Sequence, residues 1–194
     1  FENTFTVIND KPGTWPETGA LFQNDIVVSA SKMLFAQAEF DLPSKIFLTV
    51  GLSYTHLSYD IQDLFKDSAH TNYSGLLKFP AKTSPRIGLV KVINDNIAAH
   101  GSMSYGYSPP PVWEINNYDG TLNKEIRPED GMNYEIGIRG NILKSKLNFD
   151  ITAYQMYLKN TIVPVARPNG TTAYRNAGLT NQKGIEAMLS YIVI

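Results

Sequence analysis

The chain has 194 residues, 43% of them hydrophobic and 18% charged, with a formal net charge of -1 and no cysteine. That composition suits a folded chain; near-neutrality removes the basic field that nucleic-acid binding needs, and the lack of thiols excludes a disulfide scaffold and a cysteine nucleophile. No run approaches the roughly 18 consecutive apolar residues of a membrane helix, and no basic-then-apolar leader opens at Phe1. A mean hydropathy of -0.19 still fits a membrane barrel, whose alternation dilutes the signal.

The informative pattern has period two. A polar stretch, Phe1 to Asn24, precedes the first strand, in which Leu34, Ala36, Ala38, Phe40 and Leu42 oppose Gln37, Glu39 and Asp41. A tight turn at Asp41 to Ser44 leads to Ile46, Leu48, Val50, Leu52 and Tyr54, opposed by Phe47, Thr49, Gly51 and Ser53. The long connection Asp60 to Lys82 follows, then a weaker strand, Ile87 to Ile93, whose apolar face carries Lys91. Such a lysine is tolerable only near a membrane interface, where its stem can snorkel. After the turn Asn94 to Asn96, Ile97, Ala99, Met103, Tyr105 and Tyr107 oppose His100, Ser102 and Ser104.

A second long connection, Ser108 to Gly131, opens on Pro109-Pro110-Pro111, rigid extended chain rather than a domain boundary. Beyond it Met132, Tyr134, Ile136 and Ile138 alternate with Asn133, Glu135, Gly137 and Arg139. The turn Asn141 to Ser145 leads to Leu147, Phe149, Ile151, Ala153 and Tyr157, with Gln155 as one polar intruder on that side. The third long connection, Asn160 to Gln182, predicts its own hairpin, Ile162 to Arg167 and Thr172 to Arg175 about Pro168-Asn169-Gly170. In the last strand Ile185, Ala187, Leu189, Tyr191 and Val193 oppose Gly184, Glu186, Met188, Ser190 and Ile192.

Short turns and long connections thus alternate strictly. In the six stronger strands the apolar face is uncharged, whereas the other carries Glu39, Asp41, Glu135, Arg139, Asp150 and Glu186. Lipid imposes such segregation, since a basic residue at mid-bilayer costs about 2–4 kcal/mol on a barrel wall. The fold class read from this is all-β: an antiparallel, up-and-down transmembrane β-barrel segment of about seven strands, with the long connections 1–24, 60–82, 108–131 and 160–182 outside the cell. Tyr54, Tyr105, Tyr107, Tyr134 and Tyr157 fall toward the long-connection ends, as an aromatic girdle would. A soluble sandwich also alternates, but gives no reason for that placement.

Four segments resemble TonB-dependent siderophore receptors: Ser84-Pro85-Arg86-Ile87-Gly88-Leu89-Val90; Tyr105-Gly106-Tyr107-Ser108-Pro109-Pro110; Arg127-Pro128-Glu129 with Asn133-Tyr134-Glu135-Ile136-Gly137-Ile138-Arg139-Gly140; and Asn176-Ala177-Gly178 with Lys183-Gly184-Ile185-Glu186. The likeness runs in order from about Ser31 to Ile194. It implies energy-coupled import of a ferric chelate across the outer membrane of a Gram-negative bacterium, through a barrel of about 22 strands. It also implies an internal plug and a TonB complex that acts through an N-terminal box. On this reading residues 1–194 are a partial barrel domain, without plug, box or terminal strand, that does not transport alone. The motifs themselves specify strands and turns; they do not name the substrate.

Substrate preference is expected in the long connections. Trp113, Tyr118 and Arg127 in the second, and Arg167, Tyr174 and Arg175 in the third, suit an anionic ferric chelate through charge-assisted hydrogen bonds and stacking. The alternative for each is a solvated or loop-packing role. Glu39, Glu135, Arg139, Asp150 and Glu186 are expected to face the lumen. His56, His70 and His100 are not spaced as a metal cluster, and no protein-bound cofactor is expected. A barrel hydrolase built on Ser102, Ser104 and His100 lacks an acid in the same strand, so no enzyme is expected. Uptake of an oligosaccharide, cobalamin or another metal chelate, and a structural or adhesive surface role, are the remaining alternatives.

Overall fold

The computed structural model describes residues 2–8, 21–66, 71–115, 121–167 and 172–193, with backbone alone for 2–8 and 21–23. Its elements are β1 (Glu2–Ile8), β2 (Leu21–Leu42), β3 (Ile46–Asp63), β4 (Gly75–Lys78), β5 (Lys82–Asn94), β6 (Ile97–Ser108), a 3-10 turn (Val112–Glu114), β7 (Glu129–Ile142), β8 (Leu147–Lys159), β9 (Ile162–Ala166), β10 (Thr172–Asn176) and β11 (Leu179–Tyr191). Among the described residues, one antiparallel sheet of nine strands runs β1-β2-β3-β5-β6-β7-β8-β11, with β4 added to β3, and β9-β10 form a separate pair. All-β and up-and-down, it contains the seven strands that alternation marks. No helix among these residues is long and apolar enough to cross a membrane, which leaves crossing by strands untouched.

Register decides which residues share a face, because directly paired residues of antiparallel strands point the same way. The row Phe40, Leu48, Leu89, Gly101, Ile136, Ala153, Ile185 runs unbroken from β2 to β11. It carries no polar side chain, and Ile136 and Ile185 are 70% and 77% exposed. Gln155, the polar intruder, is satisfied on its own face, donating to the Tyr157 hydroxyl and to Asn181 Oδ1. Lys91 sits at the short-turn end and donates to the Ser44 carbonyl.

Two strands run far past the ends that alternation suggests. The alternating runs Leu34 to Leu42 and Ile46 to Tyr54 prove to be only the lower parts of β2 and β3, which have 22 and 18 residues, against the roughly 9–11 that a tilted bilayer crossing requires. Their pairing continues without a slip from Leu42↔Ile46 to Asp25↔Asp63. The connection 60–82 therefore includes the end of β3 and the strand β4, while β1 occupies part of the stretch 1–24 and pairs with β2. The predicted hairpin in the third connection is present as β9 and β10, with its Pro168-Asn169-Gly170 turn outside the described residues.

The upper part of β3 shows why the pattern is lost there. Up to Tyr54 the even positions are apolar, but beyond it His56, Ser58, Asp60 and Gln62 take those positions while Leu57, Tyr59 and Ile61 occupy the odd ones. The backbone keeps its register, so the strand has not turned over. What changes is the side on which apolar neighbours lie. Tyr59 and Ile61 are buried with Val27, Leu77, Phe79, Ile115, Leu122 and Ile126. The compact core of the molecule therefore lies not in the wall but where the connections fold over one end of it.

Candidate ligand site in the long connections

This core anchors the second connection. Ile115 is wholly buried, its carbonyl accepts from the Asn123 amide at 2.7 Å, and the Tyr59 hydroxyl donates to the Pro110 carbonyl at 3.2 Å. An edge-on contact between Tyr59 and Phe79, centroids 6.0 Å apart, closes the core from the β4 side. Asp63 holds the first connection: its carboxylate accepts from the amides of Phe65 and Tyr73 at 3.0 and 3.2 Å.

Asn176, at the end of β10, ties the second connection to the third. Its Oδ1 accepts from the Arg127 amide at 2.8 Å, while its Nδ2 donates to the carbonyls of Arg127 at 2.8 Å and Asn160 at 2.7 Å. Asn160 takes up a left-handed conformation, φ 56°, which asparagine tolerates better than most residues, and its own amide donates to Asp130 at 3.0 Å. The amide of Ile162 donates to Glu129 at 2.7 Å. A chain of amide and carboxylate bonds thus sets the β9-β10 hairpin against the segment that enters β7.

Between these segments lies a cavity of about 540 Å³, lined by Asn123, Glu125, Ile126, Arg127, Asn160, Val165, Ala173, Tyr174, Arg175 and Asn176. Of the residues singled out in the sequence, Arg127, Tyr174 and Arg175 meet here. Trp113, on the 3-10 turn, is 70% exposed and lies outside this lining, as does Arg167 after β9. Tyr118 and His70 fall outside the described residues. The amide-bearing residues Asn123, Asn160 and Asn176 were missed; a single asparagine in a loop carries no periodic signal, although Asn176 belongs to a motif. On the 3-10 turn the Glu114 carboxyl is pushed above its ordinary range, first by burial and then by the charge of Glu129.

The wall face opposite the apolar rows carries Glu39, Glu135, Arg139, Asp150 and Glu186. Asn133 and Ser102 donate to the Glu135 carboxylate at 2.6 and 3.2 Å, Gln37 donates to Glu39 at 3.2 Å, and Arg139 faces Asp150 across the β7-β8 ladder. His100 Nε2 lies 3.5 Å from Asp150 Oδ1. The acid missing from the His100 strand is thus supplied by β8, reaching past Gly137. A Cβ on Gly137 would stand 2.6 Å from the imidazole, so the glycine of the Tyr-Glu-Ile-Gly segment makes room for that crossing. Ser102 is engaged by Glu135 rather than by the imidazole. Among the described residues no group of three or more metal-ligating side chains is present.

A family model described as "TonB dependent receptor-like, beta-barrel" matches residues 2–191. The chain belongs to this TonB-dependent receptor β-barrel family. The match is to a receptor wall and not to a catalytic domain, which leaves the Ser102 and His100 pair a polar element of that wall.

Among curated relatives, the ferripyoverdine receptor of Pseudomonas aeruginosa is 30% identical over 113 residues, covering 55% of this chain and 13% of that protein. The chain thus spans only a small part of the length of that relative. A solved structure of the P. aeruginosa outer-membrane ferripyoverdine receptor bound to ferripyoverdine superposes with a TM-score of 0.62 at 20% identity, covering 96% of this chain and 23% of that one. The copper transporter OprC superposes with a TM-score of 0.72 at 18% identity, covering 87% and 26%. At such identities these structures establish the fold of the receptor barrel alone.

Proposed function

We propose that this chain is part of the wall and outer loops of an outer-membrane receptor that imports a ferric siderophore or a ferric citrate-like chelate. The observation that carries this reading is the meeting of Arg127, Arg175 and Tyr174 on one cavity, in connections that Asn176 holds together. Guanidinium groups and amide donors suit the carboxylate and hydroxamate oxygens of an anionic chelate, and a tyrosine ring adds a stacking face. The name of the ferripyoverdine relative supports the same substrate class. The charged face of the sheet lines the lumen, its apolar face meets outer-membrane lipid, and a plug and N-terminal box elsewhere in the protein engage the TonB complex.

The test is binding by the complete receptor of ferric citrate, a ferric hydroxamate and a ferric catecholate. Arg127→Gln with Arg175→Gln is expected to weaken the preferred anionic chelate about tenfold or more, because neither glutamine can supply a charge-assisted hydrogen bond. Unchanged affinity for every chelate tried would remove the cavity from the transport reading.

A further inference from the structure

Among the described residues the wall splits between β5 and β6. Pairing of β5 with β6 stops at Arg86↔Ser104, although β3 follows β5 on to Lys82 and β7 follows β6 on to Ser108. Pro85 begins the unpaired part of β5; lacking an N–H, it cannot extend the ladder. Side chains span the gap instead: the Lys82 ammonium lies 5.6 Å from the centre of the Tyr105 ring, and the Tyr107 hydroxyl donates to the Pro80 carbonyl at 2.8 Å. A cavity of about 720 Å³ adjoins the gap at Lys82 and Tyr107, and Leu77, Phe79 and Ile126 supply apolar lining.

Its other walls include Lys78, Lys82, Lys124 and Arg127, against the acids Glu125 and Asp130. Asp130 is already engaged by the Tyr105 hydroxyl at 2.6 Å and by Asn160. The excess of positive charge continues along the apolar side of the wall at this level. Register places Lys32, Lys78, Lys159 and Lys183 on that side against Asp60 and Asp130, and below them the row from Phe40 to Ile185 is uncharged. Cations above a band of hydrocarbon, beside tyrosines, match a layer of anionic headgroups.

We propose that the cleft between β5 and β6 binds the phosphate of an outer-leaflet lipid headgroup, with that lipid's acyl chains lying along the apolar face below. The lysines supply charge and donors to the phosphate oxygens, and Tyr107 flanks the sugar or glycerol portion. The inference rests on the outer-membrane reading but not on which chelate is carried.

The experiment uses the complete receptor in nanodiscs, with native mass spectrometry of retained bis-phosphorylated lipid A and of its dephosphorylated counterpart. Wild-type protein is expected to retain the phosphorylated form about tenfold or more over the other, and the triple variant Lys78→Gln, Lys82→Gln, Lys124→Gln to lose that preference, charge near an anionic surface being additive. The corresponding triple change to arginine is expected to keep it, which separates lost charge from misfolding. Equal retention of the two lipids, or unchanged preference in the glutamine variant, overturns the proposal. So does lysine-dependent binding of inorganic phosphate by delipidated receptor with no lipid preference, which marks a free-anion site. Chelate affinity that falls in the glutamine variant while lipid retention stays gives the cleft to the transported ligand and overturns the proposal as well, leaving the import reading intact.

Discussion

Asn176 shows how a residue without charge or bulk can govern a site. Its three hydrogen bonds, all to backbone groups of the facing segments, have no equivalent if the side chain is shortened, and a backbone polar group left unpaired costs about 1–3 kcal/mol. Asn176→Ala is therefore expected to speed hydrogen exchange at the Arg127 amide and to weaken chelate binding through a disordered Arg127, while the wall amides of β7 and β8 keep their protection. Protection that persists at Arg127 contradicts this role.

Glu114 is expected to give the 3-10 turn of the second connection a dependence on pH. Its carboxyl is raised by burial, so the folded form holds the proton more tightly than the unfolded chain. The sign follows: the contribution to folding is fully present below the ordinary carboxylate range and is lost as pH rises through the raised value. Fluorescence of the neighbouring Trp113, compared between wild type and a Trp113→Phe control, is expected to report loosening of the 3-10 turn over that window. Glu114→Gln, which cannot ionise, should flatten the response; an identical titration in that variant rules Glu114 out.

For the strands, segregation of faces is what alternation conveys and what register makes testable. Ile136 lies in the uncharged row and is 70% exposed, whereas Gln37 is on the opposite face. In a bilayer Ile136→Arg is expected to cost about 2–4 kcal/mol, while Gln37→Arg, facing water, costs little. Reversible unfolding in lipid vesicles measures both. Equal costs would mean that the two faces share one environment. The inverted alternation above Tyr54 belongs to the same physics: apolar residues follow the side on which apolar neighbours lie, and that side changes once the strand rises past the hydrocarbon.

At the scale of the whole chain, large apolar side chains are exposed on both sides of the sheet. Phe35 on the charged face is 88% exposed, and Leu34 beside it on the other is 72% exposed. Patches of this kind associate in water, and strand edges add a template for pairing. Residues 1–194 expressed alone are expected to form assemblies without detergent and to disperse with it, as light scattering would show. A clean monomer in plain buffer contradicts this.

Period-two segregation, the alternation of short and long connections and four ordered motifs were sufficient for the fold class, the faces and the family, because a strand in a wall meets two sharply different media and each position answers to one of them. The candidate site was legible only in part. Arg127, Tyr174 and Arg175 stood out by residue type, but their meeting on one cavity depends on hydrogen bonds of the Asn176 side chain to the backbones of Arg127 and Asn160, across 49 and 16 positions of chain. Trp113, chosen on the same grounds, lies outside it. The long upper strands, the core of Tyr59, Phe79 and Ile115 and the split beside Pro85 were likewise decided by tertiary structure. Above the wall no single medium faces a whole strand, so which side of a residue is buried depends on which distant segment folds against it, and no local pattern records that.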